Sequence, residues 1–180
     1  SHFFFVTPVF LIFMAIGIDL HQPTLDWGIA NNLSRLSESQ RARVGLFNRD
    51  VRAAGREGSG VDVVLAMNFS YWVFDTRDAL RGYFESVRRS LGPRGVFFLD
   101  HYGGWESMKE QRDRREIKTR RGAFTYVWDQ VHYEPVTGHM DCAIHFNFPD
   151  GTRMRNAFTY SWRLWTLPEL RELLGEAGFR

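Results

Sequence analysis

The sequence predicts an α/β protein with a mostly parallel β-sheet, helices on both faces of that sheet, and an antiparallel β-meander over about residues 124–165. Two patterns support this fold class. Short apolar runs that alternate with amphipathic helices are typical of a parallel sheet. Longer segments that alternate with period two, separated by turn sequences, are typical of antiparallel strands.

Composition favours a single globular domain over residues 1–180. Hydrophobic residues make up 44% and charged residues 24% of the chain, which argues against disorder. The net charge of +2 provides no basic field for nucleic acid. The single cysteine, Cys142, excludes an internal disulfide framework and a cysteine-based zinc cluster. We therefore expect a reducing compartment such as the cytoplasm.

Residues 1–14 form an atypical apolar start. The run Phe3–Ile18 is almost wholly apolar, yet it is shorter than the ~20 residues of a membrane-spanning helix. Only Ser1 and His2 precede it, whereas a signal peptide begins with positive charge. We therefore expect that this run does not associate with a membrane. We expect a buried strand that follows an N-terminal segment of atypical sequence. An error in the gene model is one hypothesis for that start, and sequencing the transcript across it would settle the matter.

Residues 15–104 carry the predicted α/β part. Ala15–Leu20 is an apolar run that ends in an acidic turn, which is typical of a strand buried on both faces. A helix over 24–36 has Leu and Ile at helical spacing and Thr24 as its N-cap. Residues 44–51 are the second predicted strand.

The second half of this part repeats the pattern. A glycine-rich turn precedes a third strand over 61–66. A helix begins at Asp75 or Thr76 and runs through Leu91, with one apolar stripe. The Gly-Pro-Arg-Gly sequence after Leu91 ends it, and Val96–Leu99 is the fourth strand. The stripe consists of Leu80, Phe84, Val87 and Leu91.

Residues 105–165 are predicted to hold a charged helix followed by the meander. The dense charges of 107–121 favour a solvated helix with internal ion pairs over a contact with a polyanion. The three meander strands are 124–133, 139–148 and 153–165. A capping box over 166–169 opens a last helix that completes residues 166–180.

Polar residues follow the predicted parallel strands: Asp19, Asp50, Asn68 and Asp100. Ligands of open parallel sheets bind beyond the carboxyl ends of the strands, where an acid can accept the ribose hydroxyls of a nucleotide. The alternative is that these acids are solvated or cap helices. Acids at two matching positions favour a nucleotide site.

Five segments in this order resemble the successive motifs of class I S-adenosylmethionine-dependent methyltransferases, a Rossmann-like family. The resemblance covers roughly residues 15–105 and 158–180, and it implies methyl transfer from S-adenosylmethionine to a small-molecule acceptor. The segments are Gly17–Leu20, Asn48–Arg52, Asp62–Asn68, Leu91–Phe97 and Thr166–Phe179.

The resemblance also implies roles for individual residues. Asp19, with Leu20 beside it, matches the acid that holds the ribose. Asp50 and Val51 match the position that contacts adenine. Ala66, Met67 and Asn68 match the segment that flanks the methionine part and the sulfonium.

The acceptor side follows from the same resemblance. Tyr71 and Trp72 are expected near the methyl-transfer face, Tyr71 as a candidate catalytic residue and Trp72 as a substrate contact. Tyr102 is expected to face the acceptor. His101 follows a strand end, and histidine is the residue type that most often serves as a base, so it is the first candidate base, with a surface histidine as the alternative. Trp128 and Arg163 on the meander are further candidates for substrate binding. Aromatic residues in these positions either stabilise a cationic centre at the site through cation–π contacts or pack in the hydrophobic core.

One departure from the family pattern stands out. A glycine-rich loop is expected roughly 20 residues before the ribose acid, but no glycine precedes Gly17. The bulky residues there do not allow the close backbone approach that such a loop provides. The resemblance further implies two more strands after Arg180, so we expect a chain that is truncated at both ends.

Two alternatives to the enzyme remain open at this point. The chain is a catalytically inactive methyltransferase-like fragment or an interaction module, or it belongs to another nucleotide-binding α/β enzyme such as a dehydrogenase. No metal is expected. The histidines of the meander fit no short-range ligand motif, and His139, Asp141 and His145 share a face opposite Met140, Ile144 and Phe146, as on a solvated strand face. The oligomeric state is not predicted.

Overall fold

The computed structural model describes residues 13–55, 57–120 and 122–180. Most of the predicted apolar start therefore lies outside the described residues. The described chain divides into two compact units. The first comprises residues up to 68, 82–98 and 177–179, and the second comprises 69–81, 99–176 and residue 180.

Paired strands dominate the first unit. Strand β1 (Ala15–Asp19) runs parallel to β2 (Val44–Asn48), and β3 (Val61–Ala66) pairs with β4 (Leu91–Leu99), whose last residue belongs to the second unit. All four strands were predicted, although β4 begins at Leu91 and thus absorbs the predicted turn. The α/β class is confirmed, whereas the predicted Rossmann-like sheet is present only in part, as two separate pairs among the described residues.

The helices begin and end close to the predicted positions. Helix α1 (Gln22–Asn31) is shorter than predicted and is followed by a 3-10 turn over Leu33–Arg35. Helix α2 (Glu38–Arg41) was not predicted; a capping box between Ser37 and Gln40 starts it. Helix α3 (Arg77–Ser90) and helix α4 (Leu167–Glu176) were predicted. The predicted apolar stripe is buried throughout, although its last member, Leu91, lies at the start of β4.

A four-stranded antiparallel sheet forms most of the second unit. Its strands are β5 (Gln111–Thr119), β6 (Gly122–Glu134), β7 (His139–Asn147) and β8 (Arg153–Arg163), in that order. The predicted meander is confirmed.

The predicted charged helix over 107–121 is wrong, because most of this segment is β5. Its charged residues occupy both faces of the strand, so no period of two is visible in the sequence. Pairing with the edge of β6 supplies backbone hydrogen bonds that outweigh helix propensity, and exposed charges are typical of edge strands.

Strand register separates the sheet into two faces. Residues opposite each other in neighbouring strands share a face, and successive residues alternate. Trp128 lies opposite Ile144, which lies opposite Phe158. The same register places eight rings of these strands on one side, which we call the aromatic face: Phe124, Tyr126, Trp128, Tyr133, Phe146, Phe158, Tyr160 and Trp162. Asp129 and His145 lie on the opposite, polar face, as does the predicted pair of His139 and Asp141.

The turn between β6 and β7 depends on Gly138. Its φ is +75°, its N–H donates to the Glu134 carbonyl (2.9 Å), and a Cβ here would lie 2.8 Å from the Leu164 carbonyl oxygen. We expect Gly138→Ala to destabilise the second unit by about 1–3 kcal/mol, because a left-handed conformation and a backbone clash add up. Urea unfolding measures this. Gly151→Ala is the matched control, since φ is +86° but no atom lies within 4 Å of a Cβ. Equal losses in the two variants would argue against the clash.

Candidate functional site

The carboxyl ends of β1 and β2 form one edge in the first unit. Asp19 is the last residue of β1 and pairs in register with Asn48, the last residue of β2. Asp50 follows Asn48 by two residues. Because the strands are parallel, Asp19 and Asp50 both follow strands at the same edge of the pair, as the sequence predicts.

Asp19 keeps part of its hydrogen-bonding capacity. Its Oδ1 accepts a hydrogen bond from the His21 N–H (2.7 Å), while no described residue donates to Oδ2. The Asn48 side chain donates to the carbonyls of Asp19 (3.2 Å) and Leu20 (2.8 Å), which fixes the backbone after the strand. Leu20 itself is exposed. This edge therefore presents a carboxylate oxygen beside an apolar side chain.

Asp50 is engaged locally. Its carboxylate accepts a hydrogen bond from the Arg52 N–H (2.8 Å) and forms an ion pair with the Arg52 guanidinium (2.6 Å). Hydrogen bonds from the Arg52 side chain and backbone lower the pKa of Asp50. Asp50 also caps the 3-10 turn over Val51–Ala53. Any ligand contact with its carboxylate competes with Arg52.

The segment after β3 ends in an unusual backbone. Ala66 is buried, Met67 is half-buried and Asn68 is exposed. Asn68 and Phe69 each have a φ of +56°, a conformation that non-glycine residues adopt rarely and often at functional sites. The side chains of Met67 and Asn68 thus lie at the carboxyl end of β3, where the backbone has a constrained conformation.

An aromatic cluster in the second unit brings together two of the predicted residues. Trp72 stacks on Phe69 with ring centroids 4.8 Å apart, and Tyr102 lies 5.7 Å from Phe69 and 6.3 Å from Trp72. Trp162 meets Trp72 edge to face at 5.5 Å. Sequence reasoning missed Phe69 and Trp162, although the period-two alternation of β8 would have placed Trp162 on the aromatic face.

Trp128 joins this cluster through Trp162, at 6.2 Å, and through a buried amide. The Gln130 side chain accepts hydrogen bonds from the Trp128 indole and from the Tyr102 hydroxyl, both at 3.2 Å. Gln130 is 2% exposed. It was not predicted, because a lone glutamine in a strand is usually solvated; its phase, the same as that of Trp128, was the available indication.

Hydrogen bonds of Tyr71 and Asp100 connect the two chain segments that contain Phe69 and Tyr102 of the aromatic cluster. The Tyr71 hydroxyl donates to the Asp100 carbonyl, and the Asp100 carboxylate accepts from the Phe69 N–H, both at 2.9 Å. Burial raises the pKa of Tyr71 to about 12, so this phenol is neutral at physiological pH. His101 follows Asp100 directly and is exposed; no described residue forms a hydrogen bond with its ring.

Arg163 is held by structural contacts. Its guanidinium lies 3.8 Å from the ring centroid of Trp165 and donates to the Asp75 carbonyl (3.1 Å) and to Glu169 (3.0 Å). These contacts link β8 to the start of α4. If Arg163 binds substrate, its guanidinium does so while it is already engaged in contacts that stabilise the fold.

A charged network crosses the polar face of the sheet. Asp129 accepts hydrogen bonds from Arg112 and from His145 Nε2 (3.1 Å), while His145 Nδ1 accepts from the Asn156 N–H (2.8 Å). Because Nδ1 accepts, the proton of a neutral His145 resides on Nε2. Burial opposes ionisation of Asp129, but the hydrogen bonds from Arg112 and His145 outweigh it and lower the pKa of Asp129.

Asp129 consequently links stability to pH. A carboxyl whose pKa is lowered by folding stabilises the folded state above its usual value near 3.8, and that contribution is lost as the pH falls through the lowered value. We expect Asp129→Asn to cost about 1–3 kcal/mol at neutral pH and progressively less below pH ~4. Urea unfolding across this range measures it. The control, Asp113→Asn, removes only an exposed pair with Arg115; a cost for Asp129→Asn that does not vary with pH would contradict the assignment.

No group of three or more histidine, cysteine or acidic side chains is arranged to hold a metal ion in the described ranges. None of the helices in the described part of the chain has the length and apolar character needed to cross a membrane.

Comparisons with known proteins identify the fold. No family model and no curated protein matches the sequence. Among solved structures, DesVI from Streptomyces venezuelae superposes with a TM-score of 0.71 at 17% identity, over 92% of this chain and 66% of that one. An S-adenosylmethionine-dependent methyltransferase from Clostridium acetobutylicum gives 0.68 at 18% identity, over 91% of this chain and 63% of that one.

A third similar structure is an amino pentose methyltransferase from Micromonospora echinaspora, solved with S-adenosylmethionine bound. Its TM-score is 0.61 at 13% identity, over 93% of this chain and 75% of that one. The chain thus spans slightly less than two thirds of the length of the first two structures. The resemblance seen in the sequence is confirmed at the level of the fold: this chain has the fold of class I S-adenosylmethionine-dependent methyltransferases.

Proposed function

We propose that this chain transfers a methyl group from S-adenosylmethionine to a small-molecule acceptor. The observation that carries the proposal is the edge of the β1–β2 pair, where Asp19 keeps a carboxylate oxygen without a described hydrogen-bond donor and Asp50 follows the neighbouring strand. The similar structure from Micromonospora echinaspora is that of an amino pentose methyltransferase with this cofactor bound, which supports a small molecule over a macromolecule as the acceptor.

The chemistry of the edge fits an adenosine. The ribose carries vicinal hydroxyls that donate to a carboxylate, and Asp19 Oδ2 is the proposed recipient. The exposed Leu20 side chain provides apolar surface for the nucleoside. Asp50 and Val51 are proposed to face the adenine, which requires Arg52 to release the Asp50 carboxylate or to bind alongside it. Ala66, Met67 and Asn68 are proposed to flank the methionine part.

The acceptor side is proposed to lie in the second unit. The cofactor, when bound, supplies a methyl group that is already activated by its sulfonium. The remaining task of the chain is to orient the acceptor and to remove a proton where the acceptor carries one. His101 is the proposed base, since its ring is exposed and has no described hydrogen-bond partner. Tyr71 acts through Asp100 as a positioning residue. Tyr102, Trp128 and Arg163 are the proposed acceptor contacts. Trp72, which the sequence also predicted as a contact, is 1% exposed and instead packs against the rings of Phe69 and Tyr102.

Titration calorimetry of the chain with S-adenosylmethionine tests this function. We expect saturable binding that excess nicotinamide cofactor does not displace. Absence of binding at millimolar concentrations, or displacement by the nicotinamide cofactor, would overturn the proposal. Transfer of a labelled methyl group by the 180-residue chain would then separate an active enzyme from an inactive fragment.

A further inference from the structure

The buried side-chain amide of Gln130 connects Tyr102 and Trp128 of the candidate acceptor site to the backbone of residues 106 and 109. Its Nε2 donates to the carbonyls of Glu106 (3.1 Å) and Lys109 (2.5 Å), and its Oε1 accepts from Tyr102 and Trp128. Every hydrogen-bonding atom of this amide therefore has a partner, as a side chain that is 2% exposed requires.

The chemistry of the neighbours fixes the orientation of this amide. A backbone carbonyl can only accept and an indole N–H can only donate. The reversed amide would place its NH2 against the Trp128 indole and its oxygen against two carbonyls, which leaves several buried polar groups without partners. Oε1 of Gln130 consequently faces Tyr102 and Trp128.

This orientation determines what Tyr102 offers to a ligand. Because Gln130 Oε1 only accepts, the Tyr102 hydroxyl must donate its proton to it. Burial, followed by the nearby charge of Glu106, raises the pKa of Tyr102, so the phenol stays neutral. No described residue donates to the phenol oxygen, and Tyr102 is only half-buried. The oxygen can therefore accept a hydrogen bond but has no proton left to give.

We propose that Gln130 is a positioning residue that makes Tyr102 select hydrogen-bond donors. The acceptor substrate then presents an N–H or O–H group to the Tyr102 oxygen, and molecules that offer only an ether or carbonyl oxygen are disfavoured. The half-buried ring of Phe69 beside Tyr102 provides apolar surface for the rest of the molecule. This inference rests on the proposed function, because it specifies the acceptor of the same reaction.

Three matched probes test it: benzylamine, benzyl alcohol and benzyl methyl ether. The first two carry a donor and the third carries only an acceptor oxygen. Titration of the chain, followed by the NMR signal of the Trp128 indole N–H, gives the three affinities. We expect the amine and the alcohol to bind about tenfold more tightly than the ether, the value of one hydrogen bond. In Tyr102→Phe this difference disappears.

The decisive variant is Gln130→Met. It releases the Tyr102 hydroxyl, which can then donate to the ether, so we expect the preference to vanish or reverse. A purely structural Gln130 would instead weaken all three probes equally. Gln130→Glu is the second variant: a protonated carboxyl group there still accepts from Tyr102 and Trp128 and donates to one of the two carbonyls, so the preference should remain. Thermal unfolding of each variant establishes that it is folded.

Three outcomes would overturn the inference. They are equal affinities for alcohol and ether in the unaltered chain, no binding of any probe at millimolar concentrations, and an unchanged preference in folded Gln130→Met. None of these measurements involves S-adenosylmethionine. Failure of that cofactor to bind therefore overturns the proposed function, whereas failure of probe discrimination overturns only the role of Gln130.

Discussion

Trp165→Ala should destabilise the second unit by about 3–5 kcal/mol, the range for removal of a large buried aromatic side chain. Trp165 is 1% exposed, and its indole N–H donates to the Phe74 carbonyl (3.0 Å). Its ring forms a cation–π contact with the Arg163 guanidinium. The substitution therefore opens a cavity, removes the hydrogen bond to the Phe74 carbonyl and removes the cation–π contact. Urea unfolding followed by circular dichroism measures the loss.

Trp27→Ala is the control for this experiment. Trp27 lies on α1 and is 58% exposed, so its replacement should change the free energy of unfolding by only about 0.5 kcal/mol. Losses of similar size in the two variants would show that the packing of β8 against the start of α4 is not as described.

Asp19→Ala should weaken binding of S-adenosylmethionine by about 10- to 100-fold. Hydrogen bonds to a charged group contribute about 1.5–3 kcal/mol, and each 1.4 kcal/mol is about tenfold in affinity. The same calorimetry that tests the proposed function measures this ratio. Asp62→Ala is the control, because Asp62 is exposed on β3 and forms no described hydrogen bond or ion pair. Equal effects of the two substitutions would remove Asp19 from the proposed site.

Local sequence patterns predicted most elements of the fold. The stripe of α3 and the alternation of β6, β7 and β8 each bury one apolar side, and such one-sided burial is what periodicity records. Strand β5 has no apolar side, because Arg112, Arg114 and Glu116 point to one face while Asp113 and Arg115 point to the other. Its structure comes from pairing with β6, which the sequence of β5 alone does not encode.

The candidate site was predictable to a similar degree. Asp19 and Asp50 were found because an acid after a buried strand is a local pattern, and the register of β1 and β2 places both at one edge. Gln130 has one partner two residues away and others 21 to 28 residues away in the chain, so the phase of β6 indicates which face it lies on but not its role. Asp50 and Arg52 are only two residues apart in the sequence. That Arg52 competes with a ligand for the Asp50 carboxylate is nevertheless visible only in the structure.

Asp19 is proposed to hold the ribose of an adenosine at the edge of the β1–β2 pair. Comparison of adenosine with 2′,3′-dideoxyadenosine tests it most directly, in the unaltered chain and in Asp19→Ala. We predict that loss of the two hydroxyls weakens binding about tenfold or more in the unaltered chain and has no effect in the variant. Equal binding of the two nucleosides by the unaltered chain would contradict the account.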